Sequence, residues 1–450
     1  MRKVIFLVLS AGVVLATSVF ASGTKESSSS AAGSFAGQTL SIFDGAPSGT
    51  QAKATKAYYD YVTALFEKQT GAKVSWSYYA SPGQETSTLE TSVASGSGPT
   101  VFSYGSSFVG VLGPTGDFLT LTPSDWKVLG GRSAFVKVQL EDSGYTPSQD
   151  IGIPYESIPF VIAYNKTMFK KAGITSPPAT WNEWISDAKK VMAANPGVYG
   201  AGFDPADSYD PWKFIWSYAH QLGGRFVSQS GKTSDMNSSE VAQALHFYFA
   251  QDFQYHIVPP QALTWNSAQM FTAFAEGKVA MIPLADYGTQ TSAAGTPVDG
   301  HIGFAPLPNV PYGMSSRPAG AHKAETIVSG NYWAIAKYAG ANADKLALQF
   351  AKASVSNAVQ VKQFQLLGWM PVTYSGIKAV EAIDPSVVPF TTAMQSSLST
   401  ALTPAWGYVE VGMEAVIKHI ASRLAVSGSY SSSYVKSQLS TEQSAVQAHL

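Results

Sequence analysis

The sequence predicts an α/β protein divided into two lobes or domains. The order of elements near its start carries the first part of that reading. A strand-like run, a helical repeat and a second strand-like run follow one another between residues 39 and 79. That alternation favours a parallel sheet with helices on its faces. Length carries the second part, because 450 residues exceed what one compact core usually holds. The composition, 45% hydrophobic and 13% charged, fits a packed globular chain rather than a disordered one.

Arg2 and Lys3 precede an apolar run from Val4 to about Ala16, and Val19 and Ala21 occupy the −3 and −1 places of a cleavage site. The run is shorter than the ~20 residues a spanning helix needs. Residues 1–21 therefore read as a signal peptide that is removed. Residues 22–37 are rich in Ser, Gly and Ala, have little to bury and read as a flexible leader. Ser22 stands where a lipidated cysteine would follow such a signal, and the chain contains no cysteine. The mature protein is expected to be periplasmic or extracellular, soluble and without a lipid anchor.

"TLSIFDG" (Thr39–Gly45) reads as a strand that Asp44-Gly45 turns out of the sheet. Tyr58, Tyr61, Val62, Leu65 and Phe66 recur at helical spacing before Gly71. "KVSWSYY" alternates, with Val74, Trp76 and Tyr78 on one face. A short helix over Thr86–Ser95 and a strand over Thr100–Ser107 follow. Thr180 and Glu183 form a T-x-x-E capping box, and Trp181, Trp184, Ile185, Ala188, Val191 and Met192 repeat with a helical period behind it. Further helices start near Asn237-Ser238 and around Met270, the latter leading into the strand "KVAMIPL". From about Ala341 the chain reads as mostly helical, with a low-complexity break at Ser427–Tyr434.

Several chemistries have no sequence support. Lys plus Arg number 29 against 30 for Asp plus Glu, a net charge of −1, and no basic run suggests a nucleic-acid partner. The seven histidines are scattered without an i,i+4 pair, so no metal site is expected. No G-x-G-x-x-G, P-loop or G-x-S-x-G motif occurs, so no cofactor and no catalytic residue are assigned.

The stretch "GIPYESIPFVIAYNKTMFKKAGITSPPATWNEWISDAKKV" resembles the extracellular solute-binding proteins of ABC-type sugar importers, the maltose-binding-protein-like family. The resemblance rests on Pro154-Tyr155, Tyr164-Asn165-Lys166, Phe169 to Gly173 and Thr180 to Glu183. It continues through "LGGRFVSQSGK", "FAEGKVAMIPLADYG", "IGFAPLPN", "SGNYWAIAKYA" and "GWMPV". The sequence departs from the family pattern at Pro99-Thr100, where relatives often have Pro-Asp, and at Ala285-Asp286-Tyr287, where they often read Gly-x-Trp.

The resemblance implies a two-lobed periplasmic-binding-protein fold, each lobe a mixed sheet flanked by helices, with a ligand cleft between. The first lobe would comprise 38–153 plus 306–370, and the second 160–304 plus 373–450. Crossings would fall near 154–159, 305–306 and 370–372. The implied function is binding of a mono- or oligosaccharide, closure by hinge bending and delivery to a transmembrane permease, by a monomer and without catalysis.

A sugar offers hydroxyls around its edge and C–H faces above and below, which carboxylates, amides and aromatic rings complement. Loops at strand ends are the natural suppliers. Candidate ligand contacts are Asp44, Gln84 and Tyr104 in the early loops, and Tyr155 and Glu156 at the first crossing. Asp210, Trp212, Asp286, Tyr287, Asn331, Trp333 and Trp369 complete the set. Trp333 reads equally as core, Glu156 as a hinge residue and Asp44 as a helix cap. Two alternatives remain: the same fold binding a non-sugar solute, or a secreted carbohydrate-active hydrolase using Glu156 and Asp286.

Overall fold

The computed structural model describes residues 35–48, 51–80, 82–146, 149–208 and 210–450. The expected signal peptide and the leader up to residue 34 lie outside the described residues.

Among the described residues, eight strands form two sheets. β1 (Thr39–Gly45), β2 (Lys73–Tyr79), β3 (Val101–Gly105), β4 (Gly152–Pro159) and β8 (Val328–Ile335) make the first, in the order β2-β1-β3-β8-β4. β1 is parallel to β2 and β3, whereas β8 runs antiparallel to β3 and β4. β5 (Val161–Asn165), β6 (Met281–Ala285) and β7 (Ile302–Ala305) make the second sheet, with β5 central and antiparallel to both neighbours. A parallel bridge between Tyr199 and Val279 extends it. The architecture is the two-lobed α/β arrangement, with helices flanking both sheets.

Local rules account for the elements. The helix Ala52–Thr70 ends where Gly71 takes φ 74 and its N–H closes on the Glu67 carbonyl, a left-handed cap that glycine adopts at no steric cost. At the helix Trp181–Ala194 both arms of the Thr180/Glu183 capping box form. Its two tryptophans are core residues, and each buried indole N–H is satisfied. Trp181 donates to Gln221 Oε1 at 2.8 Å and Trp184 to Gln251 Oε1 at 2.9 Å.

Only Phe160 separates β4 of the first sheet from β5 of the second. The chain returns between β7 and β8. A third approach is made by Met370, which pairs with Ser157 of β4. Beyond it, the helix Val388–Met394 packs on β5 and β7, and the helix Trp406–Ser427 packs on the helix Pro211–Gln221. One core gathers Tyr58, Phe66, Tyr155, Trp333 and Phe350 on the first sheet. Another gathers Trp181, Trp184, Phe214, Trp216 and Trp406 beside the second. The C-terminal ends of β1 and β3 thus belong to one sheet and the end of β6 to the other.

Candidate functional site

The first lobe's share of the site starts at the end of β1. Asp44 is buried and accepts the Gly45 N–H at 2.7 Å. The Tyr155 hydroxyl approaches its carboxylate at 3.4 Å and lies 2.9 Å from Ser103 Oγ. Tyr155 belongs to a bulge, since Pro154 pairs with Tyr332 and Glu156 with Asn331 while Tyr155 opposes no residue. A bulge of this kind re-aims side chains where a strand meets a site. Burial pushes the Asp44 carboxyl up to about 6, against smaller lowering by its hydrogen bonds.

Glu156 is 1% exposed. Its Oε1 accepts from Asn331 Nδ2 at 2.7 Å, while Oε2 has no hydrogen-bond partner. Burial, and then the neighbouring charge of Asp44, push its carboxyl well above the usual range. Burial and the same Asp44 charge push Glu85 up to about 7. Aromatic rings flank these acids. Tyr59 stacks on Trp76 at 4.4 Å and on Tyr78 at 5.8 Å, and its hydroxyl donates to the Gly45 carbonyl at 3.0 Å.

The second lobe's share sits at the end of β6. Val161 pairs with Ala285 but Ala163 with Ile282, so β6 carries one extra residue. Within that bulge Leu284 has φ 53, a left-handed conformation rarely adopted by a branched residue. Asp286 follows, half-buried, accepting the Thr289 N–H at 3.2 Å. Burial, and next the charge of Asp210, raise its carboxyl above the usual range. Lys213 Nζ pairs with Asp210 Oδ1 at 2.6 Å and sits 4.5 Å from the Phe160 ring centroid. The Trp212 ring meets Trp406 edge-on at 5.8 Å. Glu410 accepts from Trp406 Nε1 at 2.8 Å.

Residues 368–370 touch both shares. A Cβ on Gly368 would lie 3.2 Å from Gly288 N and from Tyr287 Cδ1, so glycine allows the close approach there. The next ring, Trp369, meets Tyr58 edge-on at 6.4 Å. Met370 then pairs beside Glu156. Tyr287 packs against Phe364 at 4.8 Å, and its hydroxyl donates to Asp384 Oδ2.

The structure therefore brings Asp44, Tyr155, Glu156 and Asn331 together, and groups Asp210, Trp212 and Asp286 separately. Tyr287 and Trp369 lie at the contact between the two groups. Other candidates lie elsewhere. Tyr104 is fully buried in a different cluster, stacked on Tyr332 at 5.2 Å, with its hydroxyl reaching the Asp142 carbonyl. Trp333 is fully buried and its indole N–H donates to Ser354 Oγ at 3.1 Å. Both rings are therefore core, because neighbouring side chains already occupy the faces a sugar would use. Gln84 is exposed and accepts the Ala80 N–H at 2.9 Å; its neighbour Glu85 carries the field of Asp44.

Sequence reasoning missed Tyr58, Tyr59, Ser103, Glu85 and Lys213. Tyr58 follows the helical period and reads as core face, and Tyr59 falls outside that repeat. The adjacency of Lys213 to Trp212 was the one local signal for the lysine. A cavity of about 570 Å³, lined by Tyr145, Trp216, His220, His322 and Trp406 among others, includes none of the predicted residues.

The two groups of carboxyls and rings thus lie at strand ends of the two sheets of a two-lobed α/β fold. The chain matches the bacterial extracellular solute-binding protein family over residues 24–361 and belongs to it. It is 27% identical over 172 residues to a binding protein of Brucella abortus, a match spanning 38% of either chain. It is 25% identical over 425 residues to the diacetylchitobiose binding protein DasA of Streptomyces coelicolor, covering 91% of both. The sugar-binding protein MalE of Xanthomonas citri has the same fold, with a TM-score of 0.73 at 18% identity, covering 91% of this chain and 98% of that one. Among the described residues, no helix is long and apolar enough to cross a membrane.

Proposed function

We propose that the protein binds a mono- or oligosaccharide in the cleft, closes on it by hinge bending and delivers it to an ABC-type membrane permease. One observation carries this reading: the buried carboxyls of Asp44 and Glu156 converge with the Tyr155 hydroxyl beside the Tyr58 and Trp369 rings. Carboxylates accept from sugar hydroxyls in pairs, and rings cover C–H faces. The names of the DasA and MalE relatives support the same ligand class.

In this reading Asp44, Glu156, Asn331 and the Tyr155 hydroxyl hold one edge of the sugar. Asp210, Trp212, Asp286 and Tyr287 approach from the second lobe, and Trp369 lies between. Residues 38–153 with 306–370 move against 160–304 with 373–450, about crossings near 154–159, 305–306 and 370–372, as in hinge closure generally. The protein acts as an exported monomer, with residues 1–21 removed, and performs no catalysis.

Calorimetry against a panel of mono- and oligosaccharides, paired with small-angle scattering, tests this. At least one saccharide should bind with a fall in radius of gyration. No heat across the panel, or turnover of a chromogenic glycoside, overturns the reading.

A further inference from the structure

Among the described residues, the carboxyls of Asp44, Glu85 and Glu156 take part in no ion pair, and no Lys, Arg or His contributes to the field at any of the three. The second lobe differs, because Asp210 has its own cation in Lys213 at 2.6 Å. Buried like charges without a cation disfavour one another's ionisation.

A second observation is independent of charge counting. Two polar atoms beside these acids are buried without any hydrogen-bond partner: Glu156 Oε2 and the Tyr58 hydroxyl. Tyr58 is 0% exposed and Glu156 1%, and the tyrosine lies in the field of both Glu156 and Asp44. A buried acceptor left unpaired costs free energy that a bound donor would recover.

We infer that the ligand bears a protonated amine on its carbohydrate ring, held by Glu156 and Asp44 with Glu85 nearby. This rests on the carbohydrate reading above. An ammonium group supplies donors and no acceptor, which matches a first-lobe surface whose unpaired oxygens need donors and whose acids need a positive charge. Among the described residues, no three or more His, Cys, Asp or Glu side chains are grouped to hold a metal ion, so an organic cation suits these acids better than a bare one. The half-buried Trp369 ring, edge-on to the buried Tyr58 at 6.4 Å, favours an amine carried on a ring over a linear polyamine. Raised carboxyls also mean that the amine, on binding, drives protons off the acids it pairs with.

The test is calorimetry on the full mature chain at pH 7.5 with four probes: the β-1,4-linked glucosamine disaccharide, its N-acetylated form, cellobiose and spermidine. The amine disaccharide should bind roughly tenfold or more tightly than either neutral disaccharide, as a charge-assisted hydrogen bond allows. Its enthalpy should also change between phosphate and Tris, reporting released protons. Glu156→Gln should bring the amine-to-neutral affinity ratio close to one. Glu85→Gln, at a half-exposed position that tolerates change, should lower the ratio and keeps the test valid where a buried variant fails to fold. Neutral disaccharides binding as tightly as the amine overturn this inference and leave the carbohydrate reading intact. Binding of spermidine alone, or of none of the four, overturns this inference, and the carbohydrate reading is then decided by the wider saccharide panel.

Discussion

The ring of Tyr155 lies flat against that of Trp333, with centroids 3.8 Å apart and planes 10° from parallel. One side chain thereby joins the first lobe's core to the site, because the far end of the same ring carries the hydroxyl beside Asp44 and Ser103. Substitutions can separate the two roles. Trp333→Ala should cost about 3–5 kcal/mol, the range for emptying a large core site. Tyr155→Phe keeps the stack and should cost about 1 kcal/mol, while weakening saccharide binding. Urea unfolding with parallel calorimetry distinguishes these outcomes.

Stability should depend on pH through Asp44. Burial raises its carboxyl from 3.8 to about 6. The native state therefore keeps a proton that the unfolded chain has lost in this window. Stability is greatest below about pH 4, falls as pH rises towards 6 and then levels, for a total contribution of about 3 kcal/mol. Glu85, raised to about 7, continues the fall to neutral pH. Asp44→Asn should flatten the acidic part of the curve. Thermal melts of unliganded protein from pH 4 to 8 provide the measurement, and a curve that rises through this range would contradict it.

Lys213 holds a different kind of balance. It is almost fully buried, with 10% of its side chain exposed against 18% for Asp210, and Asp210 also faces Asp286 and Asp204. Lys213→Met should destabilise by about 3 kcal/mol, because it strands a carboxylate among other acids. Lys213→Met with Asp210→Asn should recover part of that loss. A double-mutant cycle by chemical denaturation measures the coupling.

Trp369 should report ligand binding. It is half-buried, whereas Trp181, Trp184, Trp216, Trp333 and Trp406 are fully buried. Saccharide addition should shift tryptophan emission in the wild type. Trp369→Phe should remove most of that shift while keeping a ring against Tyr58. An unchanged shift in the variant would place Trp369 outside the site.

Much of the fold was legible in the sequence, because the rules that set its elements act over a few residues. β1 and β2 occupy the same spans as the quoted runs Thr39–Gly45 and Lys73–Tyr79. The Thr180/Glu183 box and the Gly71 stop also act within one turn of helix. Of the proposed site residues, Asp44 and Asp286 were legible as polar residues at the ends of apolar strands.

Convergence was decided only by the tertiary structure. Asp44 and Tyr155 are separated by 111 residues and Glu156 and Asn331 by 175, distances over which no periodicity carries information. Tyr104 satisfies the pattern of a strand-end ring and Trp333 reads equally as core and contact, and sheet register turns both into packed core. Tyr58 satisfies the pattern of a core helix face, yet its hydroxyl faces two acids. Alternation along a strand or helix specifies which residues share a face. Only the packing of sheets and crossings decides whether that face meets another layer or the cleft.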